Sequence, residues 1–370
     1  MPLALPVLST DPLGGLVPAQ PLAPPAMPAH AQRPGRLIDA HGRTIRDLRL
    51  SITDRCNFRC VYCLDPGAQF LPARALLTVD ELFRAAAACV ALGVTRIRIT
   101  GGEPTLHPRL LEIIERLAAL PIDDLSMTTN GARSDEASLR AWHAAGLRRL
   151  TVSIDSVRPE RFARITRSAT PLATVLEGID AALRVGLDPV RLNAVIIRGV
   201  NDDDIVDLAG LARDLGVEMR FIEFMPLDSG HAWGMERVVP ADEIIAKIES
   251  HFPLAPLGRP SPSSTALEFA FTDAATRGPR AGRIGIIAPV TRPFCGACSR
   301  LRITADGKVR PCLFSRDEWD LMPLLRASPP APAARLAEFL QDAAWTKQAG
   351  HGITATGFAP PPRSMSAIGG

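Results

Sequence analysis

The chain has 370 residues, 46% of them hydrophobic, enough for one large domain or two to three ordinary ones with a sizeable core. Its formal charge of +3 is too small an excess to argue for nucleic acid, yet it fits one basic pocket for a polyanionic small molecule. The basic residues are mostly arginine, which suits forked contacts to phosphate. No run of about 18 apolar residues occurs, so no membrane span is expected. Without a basic stretch before Arg33, neither a secretory leader nor a transit peptide is expected.

Residues 1–34 are rich in Pro and Ala and are expected to form a disordered tail. Strand-like runs then recur at 48–53, 96–100, 124–129, 150–155, 191–197 and 219–224. Helical patterns lie between them at 79–92, 108–119, 134–145, 172–185 and 202–215. Thr78-Val-Asp-Glu81 has the form of a capping box, and Gly93, Gly146, Gly186 and Gly216 punctuate helix ends. Strands alternating with helices predict an α/β fold with right-handed βαβ units and a parallel sheet. Six units are visible where a closed barrel needs eight, so the expected architecture is an incomplete (βα)6 TIM-like barrel; a doubly wound open sheet is the alternative.

The strands alternate where strands covered on both faces should be wholly apolar. Arg96, Arg98 and Thr100 share one face, as do Thr151, Ser153 and Asp155, and Arg191 and Asn193. In a barrel that polar, cationic face points inward and holds a ligand. After the sixth strand a helix is expected at 241–250 and a Pro/Ser-rich loop at 253–264. A small β-rich extension follows at 266–271, 283–289, 299–304 and 308–312, with a hairpin turn at Asp306-Gly307, and then a last helix at 333–346. The expected division is a tail (1–34), a barrel (35–232), a C-terminal domain (233–355) and a C-terminal tail (356–370).

Seven cysteines are present, six of them in two groups of three. That is no disulfide framework, and clustered thiols require a reducing compartment, which points to the cytoplasm. Cys56, Cys60 and Cys63 form C-x3-C-x2-C on the loop after the first strand. Three thiolates can hold three corners of an iron–sulfur cluster and leave one iron open. A tetrahedral zinc site needs a fourth ligand, and none follows nearby. Cys295, Cys298 and Cys312 form C-x2-C-x13-C, again three thiols without an obvious fourth, and read as a second such cluster. Arg300 and Arg302 alternate on the strand between them, so both guanidiniums point one way, as they would to hold an anionic substrate. Cys89 lies in a small-residue helix face and reads as a packing residue.

The first cysteine loop resembles the signature of the radical S-adenosylmethionine (radical SAM) superfamily. Further motifs extend the likeness: Thr100-Gly-Gly-Glu-Pro104, Thr128-Thr-Asn-Gly131, Ser153-Ile-Asp155, Arg220-Phe-Ile-Glu-Phe-Met225, the second cysteine set and the terminal Gly369-Gly370. With them the chain from Arg43 onward resembles the GTP 3′,8-cyclase family of molybdenum cofactor biosynthesis. That resemblance implies two [4Fe-4S] clusters, on Cys56, Cys60 and Cys63 and on Cys295, Cys298 and Cys312. It implies S-adenosylmethionine near Tyr62, Gly102, Ser153 and Met225. It implies GTP at Arg49, Arg98, Thr128, Arg191, Arg300 and Arg302, with Arg49, Arg300 and Arg302 as catalytic residues. The family commonly has Lys where Arg191 stands; Arg keeps the charge with a changed geometry.

The implied reaction is a lyase-type cyclisation. A 5′-deoxyadenosyl radical takes the 3′ hydrogen of GTP, C3′ attacks guanine C8, and 3′,8-cyclo-7,8-dihydro-GTP results. The resemblance also implies a reducing electron donor, a downstream cyclic pyranopterin monophosphate synthase that takes the product, a homodimer, and a Gly-Gly tail that reaches the active site. Two other readings stand at this point: a radical SAM enzyme acting on a peptide, and a zinc-stabilised binding module without activity.

Overall fold

The structure, a computed structural model, describes residues 35–228, 230, 232–273 and 282–369, together with 8–10, 16–18 and 29. The expected disordered tail lies largely outside the described residues. Its described parts include β1 (Leu8–Thr10) and β2 (Leu16–Pro18), which pair antiparallel.

Six strands form the expected parallel series: β3 (Asp47–Ser51), β4 (Arg96–Thr100), β5 (Asp124–Thr129), β6 (Arg149–Ser153), β7 (Val190–Ile196) and β8 (Glu218–Glu223). Ile97, Ile99, Leu150 and Val152 are fully buried against the helices, while the intervening polar residues face the other side of the sheet. The helices are α1 (Val79–Ala91), α2 (Leu110–Ala118), α3 (Glu136–Ala144), α4 (Pro159–Thr166), α5 (Leu172–Val185) and α6 (Ile205–Leu215). The α1 capping box forms in full: the Thr78 hydroxyl accepts from Glu81 N, and the Glu81 carboxylate accepts from Thr78 N. Gly186 and Gly216 end α5 and α6 in the left-handed conformation. Helix α4 is absent from the sequence reading. Its Pro159 at the first turn is a start signal that the long 155–172 interval concealed.

The C-terminal β-rich region is present, and it continues the barrel sheet at both edges. After α7 (Ala241–Glu249) come β9 (Leu254–Gly258), β10 (Leu267–Phe271), β11 (Arg283–Ile287), β12 (Arg300–Ile303), β13 (Lys308–Arg310) and β14 (Trp319–Asp320). Strand β11 pairs parallel to β8, and β12 pairs parallel to β3. The order is β14-β13-β12-β3-β4-β5-β6-β7-β8-β11-β10-β9, with eight consecutive parallel strands at its centre. Strand β9 corrects the expected loop at 253–264; its Pro256 is tolerated because the strand is at the sheet edge. The Asp306-Gly307 turn joins β12 to β13, with Gly307 at φ +74°. Helices α8 (Met322–Leu325), α9 (Ala333–Trp345) and α10 (Met365–Ile368) complete the chain. Among the described residues no helix is long and apolar enough to cross a membrane.

Candidate active site

Two adjoining cavities open inside the sheet. The smaller, about 180 Å³, is lined by Cys56, Cys60, Cys63, Tyr62, Gly102, Ser153 and Met225 among others, so every residue predicted for the first cluster and for S-adenosylmethionine meets there. The larger, about 520 Å³, gathers Cys295, Cys298, Cys312, Arg49, Arg98, Thr128, Arg191, Arg300 and Arg302. Thr128, Asn193, Ile222, Met225 and Met365 line both cavities and form their shared wall.

The first cysteine loop is pinned from two sides. Helix α4 leaves its last carbonyls free, as helix ends do, and the loop uses them: Arg59 N donates to Thr166 O at 2.8 Å and Val61 N to Ile165 O at 3.0 Å. Phe58 stacks edge-to-face on Phe162 of α4 with centroids 6.0 Å apart. On the other side, Gly102 N donates to Thr53 O at 2.8 Å and Glu103 N to Arg55 O at 2.7 Å. A Cβ on Gly102 would lie 2.3 Å from Arg55 O and 2.5 Å from Asp54 O. Gly102 thus lines the smaller cavity while packed directly against the backbone of the cysteine loop. Glu103, nearly inaccessible, accepts from Thr129 Oγ1 and Asn130 N and so ties this corner to β5.

Burial pushes the Cys56 thiol up to about 11 and Cys63 to about 12, and it raises Cys60 well above the usual range, with Asp155 and the other thiols adding to it. Tyr62 donates to Asp155 Oδ2 at 2.7 Å, and burial raises the Asp155 carboxyl to about 6. This recess therefore disfavours bare thiolates and would accept them only against compensating positive charge such as iron.

The second set stands beside a row of arginines. Cross-strand register places Arg302, Arg49 and Arg98 side by side on β12, β3 and β4. The row below runs Arg300, Asp47, Arg96, Asp124 and alternates in sign. Arg96 pairs with Asp47 at 2.6 Å, and Arg149 pairs with Asp124. Among the described residues, none of Arg49, Arg98 and Arg302 has a carboxylate partner within ion-pair distance. Burial, then the neighbouring arginines, hold Arg49 and Arg98 well below the ordinary guanidinium value. The Nε of Arg302 is buried with no hydrogen-bond partner, as is Oδ1 of Asn193. Uncompensated guanidiniums in a cavity of this size are a receptor for a polyanion.

Arg300 donates from Nε and Nη2 to Cys298 Sγ at 3.4 and 3.3 Å. Burial opposes ionisation of Cys298, but Arg300 and Lys347 overcome it and bring the thiol down to about 5. Burial raises Cys295 to about 11. All six cysteines are free of disulfides, and each set of three lines one recess. Three thiols around one recess can hold three corners of an iron–sulfur cluster.

Sequence reasoning put Arg96 on the inward face with Arg98, and the cavity confirms it; it missed Arg149 and Arg220 as lining residues. Arg220 and Arg191 share Glu218, each at 2.6 Å. The alternation that exposed Arg96 and Arg98 could have found Arg220 on its own strand. Lys347 and the Ser261–Thr265 stretch, which also line this cavity, carry no local signal. Cys89 is fully buried in α1, as expected for a packing residue.

The C-terminal tail enters this site. Arg363 pairs with Asp306 at 2.8 Å and Glu318 at 2.7 Å, anchoring the tail to the β12–β13 turn. From there Met365 lines both cavities and Ser366 lines the smaller. Gly369 sits at φ +84° between strand ends, where a Cβ would be 2.1 Å from Ser51 Oγ and 2.8 Å from Thr100 Oγ1. Gly370 lies outside the described residues.

The barrel and its thiol-lined recess at the C-terminal strand ends define a radical S-adenosylmethionine enzyme. Residues 50–212 match the radical SAM superfamily, and residues 217–353 match the family described as Molybdenum Cofactor Synthesis C. The chain is 45% identical over 337 residues to a GTP 3′,8-cyclase of Streptomyces coelicolor, covering 90% of this chain and 96% of that one. It is equally identical over 351 residues to a GTP 3′,8-cyclase of Mycolicibacterium smegmatis, covering 93% and 94%. The chain belongs to the GTP 3′,8-cyclase family. Its fold is shared with Streptococcus suis SuiB, solved with the precursor peptide SuiA, at a TM-score of 0.58 and 12% identity, covering 85% of this chain and 68% of that one.

Proposed function

We propose that the protein converts GTP to 3′,8-cyclo-7,8-dihydro-GTP, the first step of molybdenum cofactor biosynthesis. The observation that carries this reading is the juxtaposition of a thiol-lined recess with an uncompensated arginine row across one shared wall. Cys56, Cys60 and Cys63 would hold one [4Fe-4S] cluster, and Cys295, Cys298 and Cys312 a second. When bound, the first cluster would supply the electron for reductive cleavage of S-adenosylmethionine, the source of the radical that abstracts hydrogen from GTP, and the second would help to hold the guanine end of GTP.

The chain's own part is placement. Arg49, Arg98, Arg302 and Arg191 neutralise the triphosphate, each charge-assisted hydrogen bond contributing about 1.5–3 kcal/mol. Thr128 already accepts from Arg98 Nη1 at 3.1 Å and so aims that guanidinium. Arg300 holds Cys298 on one side and faces the substrate cavity on the other. Tyr62, Gly102, Ser153 and Met225 would shape the S-adenosylmethionine site. Phe224, Leu227 and Ile222 make its wall apolar, which keeps water from a radical. The tail closes the junction through Met365 and Ser366. This reading takes the chain as a barrel over 35–232, a second-cluster region over 233–355 and a tail over 356–370. A reducing cytosol, a reducing electron donor and a synthase that consumes the product complete it.

The test is an anaerobic incubation of reconstituted protein with reductant, S-adenosylmethionine and GTP. We expect 5′-deoxyadenosine and a cyclised nucleotide in parallel. Equal 5′-deoxyadenosine with and without GTP would remove GTP as the substrate. Zinc in place of iron in anaerobically prepared protein would favour a binding module.

A further inference from the structure

The three segments that carry the second cysteine set are not held together by the sheet alone. Strands β12 and β13 pair through Arg302–Arg310 and Ile303–Val309, whereas Cys298 and Cys312 lie beyond the ends of that ladder. Two buried cations reinforce them, one at the Cys295 segment and one between the other two. Arg43 donates from Nη1 to Cys295 O and Ala349 O, both at 2.8 Å, and from Nη2 to Gln348 O at 2.7 Å. Lys347, 3% exposed, donates from Nζ to Arg300 O at 2.8 Å and to Pro311 O. One ammonium thus ties the residue two places after Cys298 to the residue just before Cys312.

The two cations differ in one respect. Arg43 carries its own counter-ion, Asp39, at 2.5 Å, and that carboxylate is itself buried. Among the described residues Lys347 has no carboxylate partner; its two hydrogen-bond partners, Arg300 O and Pro311 O, are neutral dipoles, and it lines the same cavity as Cys295, Cys298 and Cys312. A buried ammonium without an anion is costly, and a protein does not retain one at a ligand cavity without compensation. Three thiolates and a cluster supply the missing negative charge.

We propose that Lys347 is a positioning and charge-setting residue of the second cluster: it clamps the segments on either side and supplies the resident positive charge that favours the reduced, more negative cluster. Arg43 is its electrically neutral counterpart, a clamp on Cys295 alone. The proposal rests on the second-cluster reading given above.

The experiment is a potentiometric titration followed by electron paramagnetic resonance on the reconstituted full chain, comparing wild type with Lys347→Gln and Lys347→Arg. Gln keeps a hydrogen-bond donor and loses the charge; Arg keeps the charge. In Lys347→Gln we expect the second cluster to shift to a lower reduction potential, or to be lost selectively, with the first cluster's signal unmoved. Lys347→Arg restores both the potential and the iron content. A Gln variant identical to wild type in potential, spectrum and iron overturns the proposal, as does an Arg variant that behaves like Gln. A wild type that binds one cluster only, about four irons, overturns the second-cluster reading and this proposal together. A two-cluster wild type with a silent Gln variant overturns this proposal alone.

Discussion

The two cysteine sets use the same ligand grammar in opposite surroundings. Around Cys56, Cys60 and Cys63 the neighbours include backbone, aromatic rings, two buried carboxyls and apolar side chains, and every thiol is pushed up. Around Cys298 stand Arg300 and Lys347, and that one thiol is pulled down, while burial still raises its neighbour Cys295. On the function proposed above, the first recess suits a ligand that brings positive charge, as a sulfonium cofactor does. The second, with its arginine row, suits one that brings negative charge, as a nucleoside triphosphate does.

The comparison breaks most decisively at the cysteines. Cys60→Ala should remove about half the iron and all 5′-deoxyadenosine formation. Cys298→Ala should remove the other half while leaving the spectrum of the first cluster intact and abolishing cyclised product. Iron analysis with chromatography of both products reads the two cases, and loss of both clusters in either variant would merge what we separate here. Next, Arg302→Ala should raise KM for GTP roughly 30- to 100-fold, about 2–3 kcal/mol, with S-adenosylmethionine affinity unchanged. Gly102→Ala should do the reverse. Its Cβ meets Arg55 O and Asp54 O, which are backbone and cannot swing aside, so about 1–3 kcal/mol of strain should weaken the cofactor site and spare GTP. Titrations of each ligand by calorimetry distinguish the two.

A smaller effect is expected at the tail anchor. Arg363→Ala should cost about 1–2 kcal/mol of tail docking, seen as faster proteolysis at the C-terminus and a several-fold lower turnover with both clusters retained. The same pair makes docking sensitive to pH. Burial alone would raise the Asp306 carboxyl, but its bonds to Arg363 and Thr304 hold it below the usual aspartate value. Its folded value is therefore the lower one. The stabilisation is complete above the ordinary aspartate range and is lost as pH falls through the lowered value, below about pH 4. Asp306→Asn should flatten that acid limb.

Local pattern revealed the βα series, the α1 capping box and the inward arginines because each is written within one element. What it could not show depends on pairing between distant residues. Arg283 lies beside Glu218, and Arg300 beside Asp47, and nothing near Arg300 indicates that β12 will extend the edge at β3. Strand β9 was hidden by its proline, which edge position excuses. The larger cavity was partly legible for the same reason: Arg98 and Arg191 stood out by alternation, while Lys347 arrives from the end of a helix whose own pattern says only that it packs.

Strands β11 and β12 have a consequence for synthesis. The six-stranded core is complete once Glu223 has left the ribosome, yet both of its edges, β3 and β8, lack partners until residues 283–303 follow. Unpaired parallel edges are templates for pairing with other chains. A nascent chain therefore carries two adhesive margins through the translation of some sixty further residues, from Glu223 to Arg283, and the strand that seals β3 is bracketed by the second set of cysteines. Protection of the sheet against aggregation and assembly of the substrate site are completed by the same stretch of chain.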